Sequence, residues 1–175
     1  ELLESEHWDI VPGGKYYVTR NNTSILAFKV GTKLDNYSFN IVTSHTDSPT
    51  FKVKENAEIE VKNKYTQLNT EGYGGMLCAT WLDRPLSIAG RVLVSEGNSI
   101  VTKLLNIDRD LLMIPNVAIH MNRAANDGFK YNLQVDMLPL LSGGDDRQKD
   151  FKQIIADELG VKKEDILGHD LYLYN

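Results

Sequence analysis

His45-Thr46-Asp47 is the segment whose residue types best suit chemistry. Histidine is the commonest metal ligand, through a neutral ring nitrogen. A ligating imidazole usually gives its other N–H to a carboxylate, which fixes the tautomer and raises basicity. In a turn after a strand, positions i and i+2 lie close, so Asp47 is placed to orient His45, and Pro49 stiffens the exit. The same three letters also suit a satisfied surface loop, and the tripeptide leaves both readings open. A second segment runs from Ile114-Pro115 through Ile119-His120 to Arg123. By type, His120 suits a proton carrier or hydrogen-bond donor, and Arg123 a carboxylate clamp. A strand-end histidine satisfied by backbone, with Arg123 in a salt bridge, fits equally.

Other polar segments read more simply. In Trp81-Leu82-Asp83-Arg84 the adjacent charges suggest a structural ion pair. Gly72-Tyr73-Gly74-Gly75 lacks the strand-loop-helix context and the lysine of a phosphate loop, so it reads as a turn needing φ > 0. Lys52, Lys54, Lys62 and Lys64 form a ribbon, but Glu55, Glu58 and Glu60 cancel most of its charge and leave a solvated strand face. His7 and His169 have no evident partners and are expected to be exposed. Cys78, in an apolar run, reads as a small buried hydrophobe.

The 175 residues are 42% apolar and 25% charged, with a formal charge of -5. That composition suits a soluble globular protein of one domain or two small ones. The acidic balance argues against nucleic acid, which needs a cationic surface. An oligonucleotide-binding barrel, the reading the lysine ribbon suggests, is disfavoured for that reason. A single cysteine excludes an intramolecular disulfide and makes a reducing compartment, the cytoplasm, the simpler expectation. No apolar stretch approaches the ~20 residues that cross a bilayer. The acidic opening and the strand-like finish at 170–175 lead us to expect a longer parent polypeptide.

The elements that must position these residues follow from periodicity. Lys15–Arg20 and Ser24–Val30 are expected strands of a hairpin, after the turn Pro12-Gly13-Gly14 and across Asn21-Asn22. Phe39–Ser44 reads as a buried central strand, placing Ser44–Pro49 at its C-terminal end, where open α/β sheets hold ligands. From Phe51 apolar and charged residues alternate as in strands with one wet face. Further strands are expected at Ser87–Val94, Ile100–Leu105 and Leu111–Ile114, which suggests a barrel or sandwich. One helix is signalled: Asp145-Asp146 to cap it, Phe151, Ile154, Ile155 and Leu159 along one face, and Gly160 to close it. A short turn is expected over 162–167. Residues 1–54 are expected to begin an α/β domain, 55–166 to form a mostly β domain, and 167–175 to return toward the first.

Taken in order, the motifs are similar to those of the aspartyl aminopeptidase and vacuolar aminopeptidase I family of zinc metallopeptidases. They are Ser44–Pro49 with Lys52-Val53-Lys54, Gly72–Gly75, Trp81–Leu86 with Ala89–Val92, Ile114–Arg123, and Gln134–Leu140, the last resembling the bacterial branch. The resemblance covers nearly the whole chain. It implies a partial α/β zinc-peptidase domain with an inserted, mostly β, barrel-like dimerisation domain. It implies removal of N-terminal residues from peptide substrates, acidic in some members and neutral in others. It implies two zinc ions (Zn2+) sharing an activated water, with a glutamate as base, and self-association of dimers into a dodecamer. His45 would be a zinc ligand, Asp47 the acid that orients it, and His120 a group reaching a neighbouring subunit's active site. The family's remaining ligands find no counterpart among these residues. A catalytic zinc takes about three protein ligands, so this chain by itself is expected to be inactive. The alternatives are a non-catalytic β-rich assembly module, or another amidohydrolase on the same scaffold; the motifs after Asp47 disfavour the second.

Overall fold

The computed structural model describes residues 1–21, 23–33, 35–36, 38–144 and 150–175. They fall into two compact units, 1–46 and 47–175.

The first unit is built on a hairpin. Strands β1 (Lys15–Arg20) and β2 (Ser24–Lys29) pair antiparallel, from Lys15 opposite Lys29 to Arg20 opposite Ser24. Asn21 takes φ 54° at the turn, a conformation asparagine tolerates better than most residues, and Thr23 N–H donates to Arg20 C=O at 3.1 Å. Gly13 takes φ 79° at the preceding turn. The rings of Tyr16 and Phe28 lie 5.5 Å apart across the hairpin. None of the described residues of this unit is buried. The strand expected over 39–44 does not form. Phe39, Ile41 and Val42 are 80%, 79% and 95% exposed. Strand structure is a partnership between backbones, and high β propensity alone does not supply the neighbour.

The second unit holds the core. Its six-stranded sheet uses β3 (Thr50–Val61), β4 (Tyr65–Tyr73), β5 (Ser87–Glu96), β6 (Ser99–Asn106), β7 (Leu140–Gly143) and β8 (Ile166–Tyr174), in the order β6-β5-β8-β3-β4-β7. All described pairings between these strands are antiparallel. The ladder itself is open. Residues 111–114, expected as a strand, instead make isolated bridges: Leu112 to Leu86 beside β5, Met113 to Leu140 of β7, and Ile114 to Leu82. These bridges carry backbone bonds of 2.7 to 3.2 Å and link the β5 side to the β7 side. Strand β8, the last in sequence, sits between β5 and β3. Gly90 is required there: its φ is +153°, and a Cβ would stand 2.1 Å from the Asp170 carbonyl oxygen.

Helix α1 (Phe151–Leu159) packs Phe151, Ile155 and Ala156 into the core beside Phe51, Leu68 and Leu171. The expected caps Asp145 and Asp146 lie outside the described residues. Asp150 is the N-cap, its carboxylate accepting from Gln153 N–H at 3.0 Å. Glu58 of β3 accepts from Phe151 N–H at 2.6 Å. Gly160 closes the helix in the left-handed conformation, φ 63°. A short 3-10 turn, Lys163–Asp165, leads into β8. Burial of this kind contributes about 25 cal/mol per Å² of apolar surface, and here it belongs entirely to the second unit.

Candidate functional site

His45 belongs to the first unit; Asp47 and His120 belong to the second. No strand leads directly into Ser44–Pro49, and these residues are exposed. Asp47 opens the second unit, and its Oδ2 accepts a hydrogen bond from the hydroxyl of Tyr73 at the end of β4. That bond to a carboxylate holds the Tyr73 phenol above its ordinary pKa, because the proton is shared with a negative partner. Gly74 makes room nearby: at φ 78° its missing side chain would meet Pro49 at 3.3 Å.

Tyr73 in turn begins a lattice across the sheet. Its ring meets Tyr172 of β8 edge-on, centroids 5.3 Å apart. The Lys52 ammonium lies 5.9 Å from the Tyr172 ring centroid. Lys52 donates to Asp170 at 2.9 Å, and Arg91 of β5 donates to the same carboxylate at 2.9 Å and 2.7 Å. Lys52 first, and Arg91 second, hold the Asp170 carboxyl below the usual carboxylate range. Lys52 is therefore no free member of a basic ribbon. None of Tyr73, Tyr172, Asp170 or Arg91 is evident as a site residue from sequence. Cross-strand register brings them together, placing Lys52 opposite Tyr172 and Arg91 opposite Asp170.

His120 lies in a run of turns, not at a strand end. Met121 N–H donates to Ala118 C=O at 2.8 Å, and His120 and Arg123 are both exposed. Val117, Ile119 and Met121 around it are also exposed, at 51%, 48% and 80%. The adjacent charges Asp83 and Arg84 take separate partners. Asp83 Oδ1 accepts from Asn116 N–H at 2.8 Å, which anchors the start of the His120 segment, while Arg84 donates to the Asn175 side chain at 3.3 Å. Cys78 is half-buried against the core rather than enclosed. His169 is not exposed as expected; its side chain is 7% accessible.

Among the described residues no three His, Cys, Asp or Glu side chains gather as a metal cluster. With about three protein ligands needed for catalytic zinc, the donors described here do not make such a centre by themselves. Nor is any helix among the described residues long and apolar enough to cross a membrane.

Comparison with known proteins matches all of residues 1–175 to the family model described as aminopeptidase I zinc metalloprotease (M18). A probable M18 family aminopeptidase 2 of Clostridium acetobutylicum is 48% identical over 99% of this chain and 42% of its own length. The corresponding protein of Clostridium novyi is 46% identical with the same coverage. Among solved structures, a chain of the Ape4 and Nbr1 complex superposes with TM-score 0.85 at 34% identity, covering 99% of this chain and 37% of that one. Chaetomium thermophilum mApe1 superposes with TM-score 0.82 at 28% identity, covering 99% and 43%. The S. cerevisiae mApe1 dodecamer gives 0.70 at 25% identity, covering 99% and 40%. The chain thus spans about two fifths of the length of the proteins it matches.

Proposed function

This chain belongs to the aminopeptidase I zinc metalloprotease (M18) family, and on that footing we propose that it is part of a dinuclear zinc aminopeptidase that removes N-terminal residues from peptides in the cytoplasm. His45 is one zinc ligand of the complete protein, and the other ligands come from the part of the relatives' length that this chain does not span. Asp47 orients the His45 imidazole. The observation that carries this reading is the Tyr73 hydrogen bond to Asp47 Oδ2. It fixes the Asp47 carboxylate, which suits an acid whose task is to take the second N–H of a ligating imidazole. His120, in an exposed segment anchored through Asp83, serves a neighbouring subunit's active site. The division into 1–54, an inserted 55–166 and a returning 167–175 is part of the same proposal; the pairing of Lys52 with Tyr172 supports an insertion entered and left through adjacent strands.

The test uses the intact polypeptide. The His45→Ala variant should lose bound zinc and hydrolysis of Leu- and Glu-linked chromogenic peptides together. Undiminished metal and turnover would end the proposal. Residues 1–175 alone, supplied with zinc, should show no turnover.

A second reading, an assembly module, is favoured by a separate observation. On the sheet-edge strand β6, Ile100 and Leu104 are 67% and 83% exposed. The yeast relative whose solved structure is a dodecamer supports self-association of the complete protein. Sedimentation of the intact protein against a variant with Ile100→Lys and Leu104→Lys tests it; unchanged assembly would remove β6 from the contact.

A further inference from the structure

His169 on β8 has an environment that the proposed chemistry does not use. Its side chain is 7% accessible, and its Nδ1 is buried with no hydrogen-bond partner. Its ring meets Phe151, the first residue of α1, edge-on at 6.2 Å. A pocket of about 130 Å³ lies against it, lined by Ala57 of β3, Phe151 and Ile155 of α1, and Ile166 of β8, with Glu55 and Lys152 also on its wall. The pocket therefore sits where the helix meets the sheet.

We propose that His169 makes the docking of α1 on the sheet proton-sensitive: the neutral imidazole fits beneath the docked helix, and the imidazolium does not. The neutral ring leaves a bare acceptor at Nδ1, which costs about one unmade hydrogen bond. The imidazolium carries an N–H there; the residue's own backbone favours that proton only slightly, and the burial of a charged ring outweighs it. The imidazole also lies beside the first residue of α1, where the helix dipole is positive and opposes a cation. Among the described residues, the charged groups around it are as follows. From β3, Glu55 Oε2 stands 3.7 Å from Nε2 and favours the proton, while Lys52 opposes it. Asp170, on the same strand, favours it, but Lys52 and Arg91 already engage that carboxylate. Glu58 and Asp150 accept from first-turn N–H groups of the helix, and Asp150 also pairs with Lys163. Lys152 adds a further cation on the pocket wall. Burial is the largest influence, and it pushes the His169 pKa below its ordinary value. A proton gained there is accommodated by admitting water to the pocket, which separates Phe151 from the sheet. The pocket has room for water.

The sign follows. With the folded value depressed, this group's contribution to stability is complete above its ordinary value of 6.5 and is lost as pH falls below it. The test is hydrogen–deuterium exchange of peptides covering 150–161 in the intact polypeptide, corrected for intrinsic rates. Between pH 7.5 and 5.5, protection of α1 should fall about threefold or more relative to β3 and β4. In His169→Gln, which cannot titrate, the relative protection should stay flat. Equal pH dependence in both proteins would overturn the proposal. Should His169→Gln not fold, the wild-type imidazole is titrated by NMR alongside the α1 amides. A shared midpoint below 6.5 supports the latch, and separate midpoints overturn it.

Discussion

Two apolar runs lie twelve positions apart and have opposite fates. Phe39, Ile41 and Val42 stand in the first unit, 80%, 79% and 95% exposed; Phe51 and Val53 stand in the second, 0% and 1% exposed. Their letters are much alike. The second run has β4 on one side, β8 on the other and a helix packed into the same core. The first has no described strand beside it. Burial is a property of the neighbourhood, and propensity only makes a residue eligible for it.

The contrast can be broken most forcefully at Phe51. Phe51→Ala removes a fully buried ring and its edge contact with Trp81 at 5.3 Å, and should cost about 3–5 kcal/mol. Phe39→Ala should stay within about 0.5 kcal/mol. Urea denaturation of the two variants against wild type compares them directly, and similar losses would erase the distinction. Next comes Gly90→Ala, whose Cβ has only 2.1 Å to a backbone oxygen that cannot yield. It should cost about 3 kcal/mol, against tenths for a glycine with open space such as Gly75. Thermal melts decide it.

A smaller effect is expected at Asp170. Asp170→Asn should lose about 1–2 kcal/mol, since the cluster is only partly exposed and two cations share the carboxylate, Lys52 at Oδ1 and Arg91 at Oδ2. Because its folded carboxyl lies below the ordinary 3.8, its contribution is present above that pH and disappears as pH falls below it. The variant should therefore show a flatter acid limb in stability against pH. Asp150→Ala should cost about 1 kcal/mol by freeing the first turn of α1, seen as faster exchange there. The finest test is the Tyr73 phenol. Asp47→Asn should bring its raised pKa back toward the usual value in a spectroscopic titration. No change would detach Asp47 from the sheet.

What could be read from letters was mostly local. The hairpin, α1 and its glycine stop, β5 and β6 followed from turn chemistry and periodicity, because neighbours in sequence decide them. β4 was missed: Thr66-Gln67-Leu68-Asn69-Thr70 carries little apolar alternation, yet Thr66, Leu68 and Thr70 are all buried. A buried threonine face looks polar on paper. The misplacement of His169 has the same origin. No partner for it was evident in the letters, while the ring faces a helix whose docking is a long-range event. Of the proposed site, residue types drew attention to His45, Asp47 and His120, but Tyr73 could not be foreseen, since twenty-six positions separate it from its acceptor.

One small contact has a wider consequence. The Thr50 hydroxyl donates to the Leu173 carbonyl at 2.5 Å, so the polypeptide crosses into the sheet and out of it through a single doorway. Adjacent strands are only about 5 Å apart. Everything threaded between those two residues therefore starts and finishes at neighbouring points of one sheet.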